Sequence, residues 1–397
     1  MDDGTQTYLA GRFGDYYRGS LSPPDAVGDR FRHEEPILPP PAADRREWGF
    51  VTWNGPMVRH RSLLDLGSLD GWLAEETPRH VYHSVARYER PSAPAMTDKG
   101  WIGADLVFDL DADHLRDVEP DDSYRSMLAA CKDALIRLLD FLENDFGFEQ
   151  LDVVFSGGRG YHVHVRDDSV QDLDSDGRRE IVDYVRGVGF DAELALAGET
   201  AGGDYGRESP AELRRLGPGA WSDRIRDYVV DFAEEVAEME EGAAVERLTA
   251  FDGVGEGKAA TIREVCRDRR DALAAGNLDV AGGLKGFWRQ LVERAVEETG
   301  AETDEPVTTD TRRLIRLPGS LHGGTGFRVV PLDREALDDF RPLHDALVFS
   351  DREQEVTLED PTEIYLAGRK LDLTPGTHAL PEHTAVFLML REGASLG

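Results

Sequence analysis

The sequence predicts an α/β fold with a helical subdomain inserted into it. Three observations lead there. Apolar strand-like runs at residues 106–108, 151–155 and 161–165 flank a run of helical period over residues 124–146. Residues 168–300 change to helical patterns joined by acidic and glycine-rich links. After residue 300, strand-like segments return.

Taken in order, residues 12–18 read as helix and residues 23–41 as a proline-rich connection. Residues 48–53 and 80–88 read as strands. The run from Ala104 to Asp113 then forms a buried strand that leaves the sheet among carboxylates. In the 124–146 segment, Leu128, Leu135, Leu138, Leu139 and Leu142 share one helical face. Residues 151–155 and 161–165 are strands on either side of a glycine-rich turn. Residues 222–241 and 286–298 are helices of the insertion. Residues 327–332 and 355–358 are strands, and an apolar helix covers residues 381–391.

Composition narrows the class. A chain of 397 residues with 40% hydrophobic content can bury a sizeable core. No apolar run is long enough to span a bilayer, and the polar, acidic N-terminus resembles neither a secretory signal nor a transit peptide, so a cytoplasmic protein with no membrane partner is expected. Two distant cysteines, Cys131 and Cys266, exclude a disulfide scaffold, an iron–sulfur cluster and an all-cysteine zinc site. Each reads as a small buried apolar residue. The 78 acidic residues outnumber the 45 basic ones, for a net charge of −33. Acid spread along the whole chain suits a halophile's cytosol, where molar salt suppresses counterion-release binding. A nucleic-acid partner would then depend on local arginines and metal ions.

Chemistry concentrates in three stretches. In Phe108-Asp109-Leu110-Asp111, the alternation of a strand puts Asp109 and Asp111 on one face, with Asp113 following. Adjacent carboxylates repel, and a divalent cation relieves that repulsion. The plainer alternative is a solvated strand end. In Ser156-Gly157-Gly158-Arg159-Gly160-Tyr161-His162, the glycines let backbone amides approach a ligand, Arg159 suits a phosphate, and His162 and His164 share one strand face. The plainer alternative is a hairpin whose glycines only set the turn. In the third stretch, Asp304 to Asp310 leads into Arg312-Arg313-Leu314-Ile315-Arg316-Leu317-Pro318-Gly319-Ser320-Leu321-His322. Arg316, His322 and amides near Gly319 suit a triphosphate. Asp304 and Asp310 compete as a third metal ligand, and Asp310 with Thr308 and Thr309 could instead cap a short helix over residues 312–316. The residues alone do not separate these. A fourth stretch, Gly253 to Ile262, looks like half of a phosphate-binding helix–hairpin–helix turn, but reads better as a plain helix–helix connection.

In this order, the stretches resemble the catalytic small subunit of archaeal and eukaryotic DNA primase, of haloarchaeal type. Phe108 to Asp111 is similar to the family's acidic motif. Ser156 to His162 is similar to its Ser-Gly-x-Arg-Gly-x-His nucleotide motif, and Arg312 to His322 to its third motif. Tyr16-Tyr17-Arg18, Arg46-Glu47-Trp48-Gly49-Phe50 and residues 381–391 are similar to archaeal members, so the resemblance covers most of the chain. It implies the archaeo-eukaryotic primase fold with a mixed sheet. Residues 1–167 and 301–397 would form the α/β catalytic domain and residues 168–300 the inserted helical subdomain.

The resemblance also assigns roles. It implies that Asp304 is the third catalytic aspartate, so that Asp109, Asp111 and Asp304 hold two Mg2+ or Mn2+ ions roughly 3.5–4 Å apart. Ser156, Gly157, Arg159, His162, Arg316 and His322 would bind the nucleoside triphosphate. The implied reaction is template-directed nucleotidyl transfer, making short RNA or RNA/DNA primers on single-stranded DNA and so initiating replication. The implied partner is a large subunit carrying an iron–sulfur domain. Two departures stand out. Gly158 replaces a second arginine of some relatives. Where many relatives carry a zinc knuckle, this chain offers only His114 and Cys131, so no structural zinc is expected. Competing readings are a primase-family repair polymerase that extends existing ends, a metal-dependent phosphodiesterase or nuclease, and a noncatalytic nucleic-acid-binding subunit.

Overall fold

A computed structural model of the chain describes residues 1–32, 37–196, 220–278 and 282–397. Parts of the proline-rich connection and of the helical insertion therefore lie outside the described residues. The chain divides into two compact units, one made of Met1–Ile136, Phe148–Val182 and Glu302–Gly397, the other of Arg137–Gly147 and Asp183–Ala301. The expected boundary at residue 168 moves to Val182, because the first part of the Ser175–Arg186 helix is anchored in the first unit. There Arg178 donates to the carbonyls of Ala104 (2.8 Å) and Asp105 (2.9 Å).

In the first unit the strands, numbered along the chain, are β1 (Trp48–Val51), β2 (Met57–Arg61), β3 (His80–Ser84), β4 (Ala86–Tyr88), β5 (Trp101–Ala104), β6 (Leu106–Asp111), β7 (Leu151–Phe155), β8 (Gly160–Val165), β9 (Leu314–Arg316) and β10 (Val330–Leu332). One sheet has the order β10-β7-β8-β6 and another β2-β1-β3-β9. Toward the C-terminus, β11 (Glu353–Leu358), β14 (Gly376–Pro381) and β15 (Ala394–Leu396) form a third sheet, and β12 (Thr362–Leu366) and β13 (Arg369–Leu373) a hairpin.

The mixed sheet expected above does not form. Every strand pair among the described residues is antiparallel. The reason is local. The short turn after β7 obliges β8 to run back beside it. β8 therefore fills the slot between β6 and β7, which run in the same direction but never pair.

The Tyr124–Asp140 helix covers this sheet with Leu128, Cys131, Ala134 and Leu135, all buried. The Cys131 thiol points at the Leu110 carbonyl at 3.5 Å, so this cysteine is a packing residue of β6. The α-helix stops at Asp140 rather than running to residue 146, and a π-helical turn continues over Phe141–Asp145. In the second unit that turn lets Asp140 and Asp145 both reach Arg224, at 2.5 and 2.8 Å, while the guanidinium covers the Phe141 ring. Among the described residues that unit is otherwise built of helices: Ala220–Glu238, Glu241–Thr249, Glu256–Asp268 and Lys285–Thr299 pack around Phe232, Phe251 and Phe287. The Gly253–Ile262 stretch is a helix–helix connection, with Gly253 at φ +70° and Gly255 at the start of the next helix.

Beneath the start of β6 lies a buried polar network. Arg46 donates to the carbonyls of Ser84 and Val85 and to Asp105, each at 2.8 Å, and both Arg46 and Asp105 are almost wholly buried. Arg166 reaches the same carboxylate at 3.3 Å. Removing one partner of such a pair strands a charge in the core. Arg46→Ala should therefore lower the unfolding free energy by about 3–5 kcal/mol in urea denaturation at fixed salt. A loss below about 1 kcal/mol would show that the network contributes little.

Candidate active site

The site begins with the pairing of β6 and β8. The register sets Asp109 opposite His162 and Asp111 opposite Gly160. Asp109 and Asp111 thus emerge on one face, with His162 Nε2 3.6 Å from Asp109 Oδ1. Gly160 is required here, because a Cβ would overlap the Leu110 carbonyl. His164 lies deeper on the same strand, buried beside His83, and does not reach the cavity described below.

The third carboxylate arrives from the far end of the chain. The Asp304 amide donates to the Asp109 carbonyl at 2.9 Å, and Thr303 Oγ1 points at the same oxygen at 3.3 Å. Asp304 is the N-cap residue of the Glu305–Thr309 helix, yet its side chain makes no capping bond. His114 Nδ1 stands 3.9 Å from its carboxylate. Asp310 closes that helix, is exposed, and accepts from the Arg312 amide at 2.8 Å. The short helix over residues 312–316, allowed by the sequence, does not form. Leu314–Arg316 is instead an edge strand on β3, with Arg316 opposite Tyr82.

The turn between β7 and β8 packs against the His322 loop. Gly157 has φ +73°, and a Cβ there would meet His322 Cβ at 2.7 Å. Thr325 Oγ1 donates to the Gly157 carbonyl and Tyr124 Oη to that of Gly158, each at 2.5 Å. Ser156 Oγ accepts from the Gly158 amide at 3.3 Å. Arg159, half-exposed, pairs with Asp113 at 2.5 Å and lies 3.6 Å from Asp111. Such an exposed pair is weak and opens easily for a stronger anion. The Gly324 amide donates to His322 Nδ1 at 3.2 Å, which leaves the neutral ring's proton on Nε2, facing Gly158.

Asp109, Asp111, Ser156, Arg159, His162, Arg316 and His322 all line one cavity of about 270 Å³. A larger cavity, about 540 Å³, lies beside Tyr16, Phe31 and Arg328 and contains none of these groups. The convergent chemistry makes the smaller one the candidate site. Sequence reasoning missed three contributors. Thr325 sits in the Gly323-Gly324-Thr325-Gly326 loop, whose composition was a usable signal. Tyr124 carried no local signal, and Arg391 stood out only as the end of the 381–391 stretch that resembles archaeal members.

Charge explains the state of these groups. Burial, then repulsion from Asp111 and Asp304, pushes the Asp109 carboxyl up to about 6, against some relief from Arg316 and Arg313. Burial drives His162 and His322 well below the usual imidazole range. It also takes His80 to about 3 and His164 to about 4. The cavity therefore presents carboxylates, neutral imidazoles and permanent guanidinium cations. Three repelling carboxylates with oxygen donors fit a hard divalent cation such as Mg2+ or Mn2+. Among the described residues no three such donors are already drawn together into a closed cage. An open cluster is what mutual repulsion produces.

Comparison with known proteins decides the family. The family model for the DNA primase small subunit matches residues 108–334. The DNA primase small subunit PriS of Natronomonas pharaonis is 50% identical over 405 aligned residues, covering 100% of this chain and 99% of its own. This chain belongs to the DNA primase small subunit family. It is also similar to the PriS proteins of Haloarcula marismortui, at 49% identity, and Methanothrix thermoacetophila, at 42%, each covering 100% of both chains. The family match runs from Phe108 to Arg334. In this primase small subunit it thus takes in all three aspartates, the glycine turn and the His322 loop.

Asp109 gives a pH test. Its carboxyl ionises near 3.8 when unfolded and near 6 when folded, so between those values the folded state holds the extra proton. Stability from this group falls as pH rises through that window and stays lowered above it. Asp109→Asn should raise the thermal midpoint of the metal-free protein at pH 7.5, on the order of several degrees, with little gain at about pH 4. An equal gain at both values would mean that ionisation is not the cause.

Proposed function

We propose that this primase small subunit is the catalytic one, a nucleotidyltransferase that makes short RNA or RNA/DNA primers on a single-stranded DNA template. The reading rests above all on one observation. Two carboxylates from β6 meet the Ser156–His162 hairpin, Arg316 and His322 at one cavity, and Asp304 docks beside Asp109 through its amide. A phosphodiesterase needs the carboxylates but not a cationic and imidazole wall shaped for a triphosphate.

On this reading Asp109, Asp111 and Asp304 hold the Mg2+ or Mn2+ ions. When bound, these ions would lower the pKa of the attacking hydroxyl and offset the charge that develops on the leaving group. The chain does the rest. Arg159 exchanges Asp113 for the triphosphate, and Arg316, unpaired with any carboxylate among the described residues, offers its guanidinium alongside. His322 donates from Nε2, and Ser156 Oγ and the glycine amides line the approach. A 3′-hydroxyl gives up its proton to solvent and its oxygen attacks the α-phosphorus; the new phosphodiester bond forms as the bond from the α-phosphorus to the bridging oxygen breaks, and pyrophosphate departs with that electron pair. For the first bond that 3′-oxygen belongs to a second nucleotide. The first unit is read as the archaeo-eukaryotic primase domain and the second as its inserted helical subdomain. The only cysteines, Cys131 and Cys266, are buried and separate, so an iron–sulfur centre would belong to a large-subunit partner.

Unprimed synthesis on single-stranded DNA in high potassium chloride, with Mg2+ or Mn2+ and both nucleotide types, tests this. Wild-type chain should make primers, and the Asp109→Ala/Asp111→Ala double mutant none. Asp304→Ala should cost at least about a hundredfold, since even outer-shell groups carry 10–100-fold. Asp310→Ala should stay near wild type. Extension only of added primers would favour a repair polymerase, or initiation that needs the large subunit. Template degradation would overturn the reading.

A further inference from the structure

We propose that Arg391 is a further binding residue of this site, contacting the phosphates of the incoming nucleoside triphosphate. The proposal rests on reading the cavity as the nucleotide site. Arg391 lies outside the family-matched segment yet lines the same cavity as Asp109, Arg159 and His322. Its position is rigidly set. It caps the Glu382–Leu390 helix, every residue of which is buried, and its amide donates to the Phe387 carbonyl at 3.2 Å. The Arg391 side chain is exposed.

Its support is aromatic. The guanidinium lies 5.1 Å from the Tyr124 ring centre and 5.3 Å from that of Phe387. Tyr124 Oη bonds the Gly158 carbonyl at 2.5 Å. Phe387 stacks on Phe327, whose carbonyl accepts from the His322 amide at 2.8 Å. The cation therefore rests against rings that are tied to both loops of the cavity wall. It has no carboxylate partner among the described residues, in a chain with 78 acids to 45 bases. Exposed cation–π contacts hold an arginine only weakly, which leaves the planar fork available for bidentate phosphate binding. Gly158 leaves its own point of the wall without a side chain. A Cβ there would stand 3.2 Å from His322 Nε2, so a side chain at that point would press on the histidine. Arg391 brings a cation to that part of the wall from another element.

The test compares wild type, Arg391→Gln, Arg391→Lys and Arg316→Ala by titration with a non-hydrolysable nucleoside triphosphate, the matching monophosphate and a single-stranded oligonucleotide. Arg391→Gln keeps much of the stem over the rings. It should weaken triphosphate binding at least about tenfold, leave monophosphate and oligonucleotide binding unchanged, and be partly rescued in Arg391→Lys. Wild-type triphosphate affinity in Arg391→Gln, with loss in Arg316→Ala, would overturn the proposal and leave the nucleotide site standing. No loss in either variant would overturn both. Weaker oligonucleotide binding alone would mean that Arg391 serves the template strand, and the proposal falls.

Discussion

The antiparallel register of β6 on β8 is the constraint on which the site depends. A strand that slips by one residue turns every side chain to the opposite face. Here a slip would send Asp109 and Asp111 into the core and bring Phe108 and Leu110 to the cavity. Gly160 holds the register, because it alone lets β8 pass close to the Leu110 carbonyl. The same glycine ends the turn that carries Ser156 and Arg159. One backbone contact thus places both the acidic pair and the phosphate-facing loop.

That arrangement stores electrostatic strain. Asp109, Asp111 and Asp304 face one another across a partly buried space, and the nearest imidazole is held neutral. Proteins keep such clusters where a ligand relieves them, at some cost to the empty fold. The Arg46–Asp105 network below β6 supplies a rigid base for this strained end. Asp105 and Asp109 are close in sequence but live under opposite rules, one paired and sealed, the other half-open and repelled.

The overall charge of −33 raises a second tension, since the proposed ligands are polyanions. The structure answers it locally. Many arginines away from the cavity meet carboxylates, as Arg116 does with Glu302 and Arg166 with Asp105. At the cavity, Arg316 and Arg391 have no carboxylate partner among the described residues. Close charges in a sheltered space act over a few ångströms, where salt screens least. An acidic surface suited to molar salt and a cationic pocket wall can therefore coexist in one chain.

Local patterns determined a good deal of this protein by themselves. Strand alternation put Asp109 and Asp111 together, three glycines marked the turn before His162, and helical spacing found the Tyr124–Asp140 helix. These signals lie within a few residues of one another, so backbone geometry alone converts spacing into placement. The choice of Asp304 over Asp310 was not legible in the residues, because both precede short turns and either could cap or coordinate. The family resemblance implied Asp304, and the docking of the Asp304 amide on the Asp109 carbonyl is what the fold adds to that expectation. Tertiary structure likewise decided that β8 inserts between β6 and β7, and that Tyr124, Thr325 and Arg391 converge on one glycine turn. Those contacts join positions up to hundreds of residues apart, and they follow from which faces pack together, a property that no local period encodes.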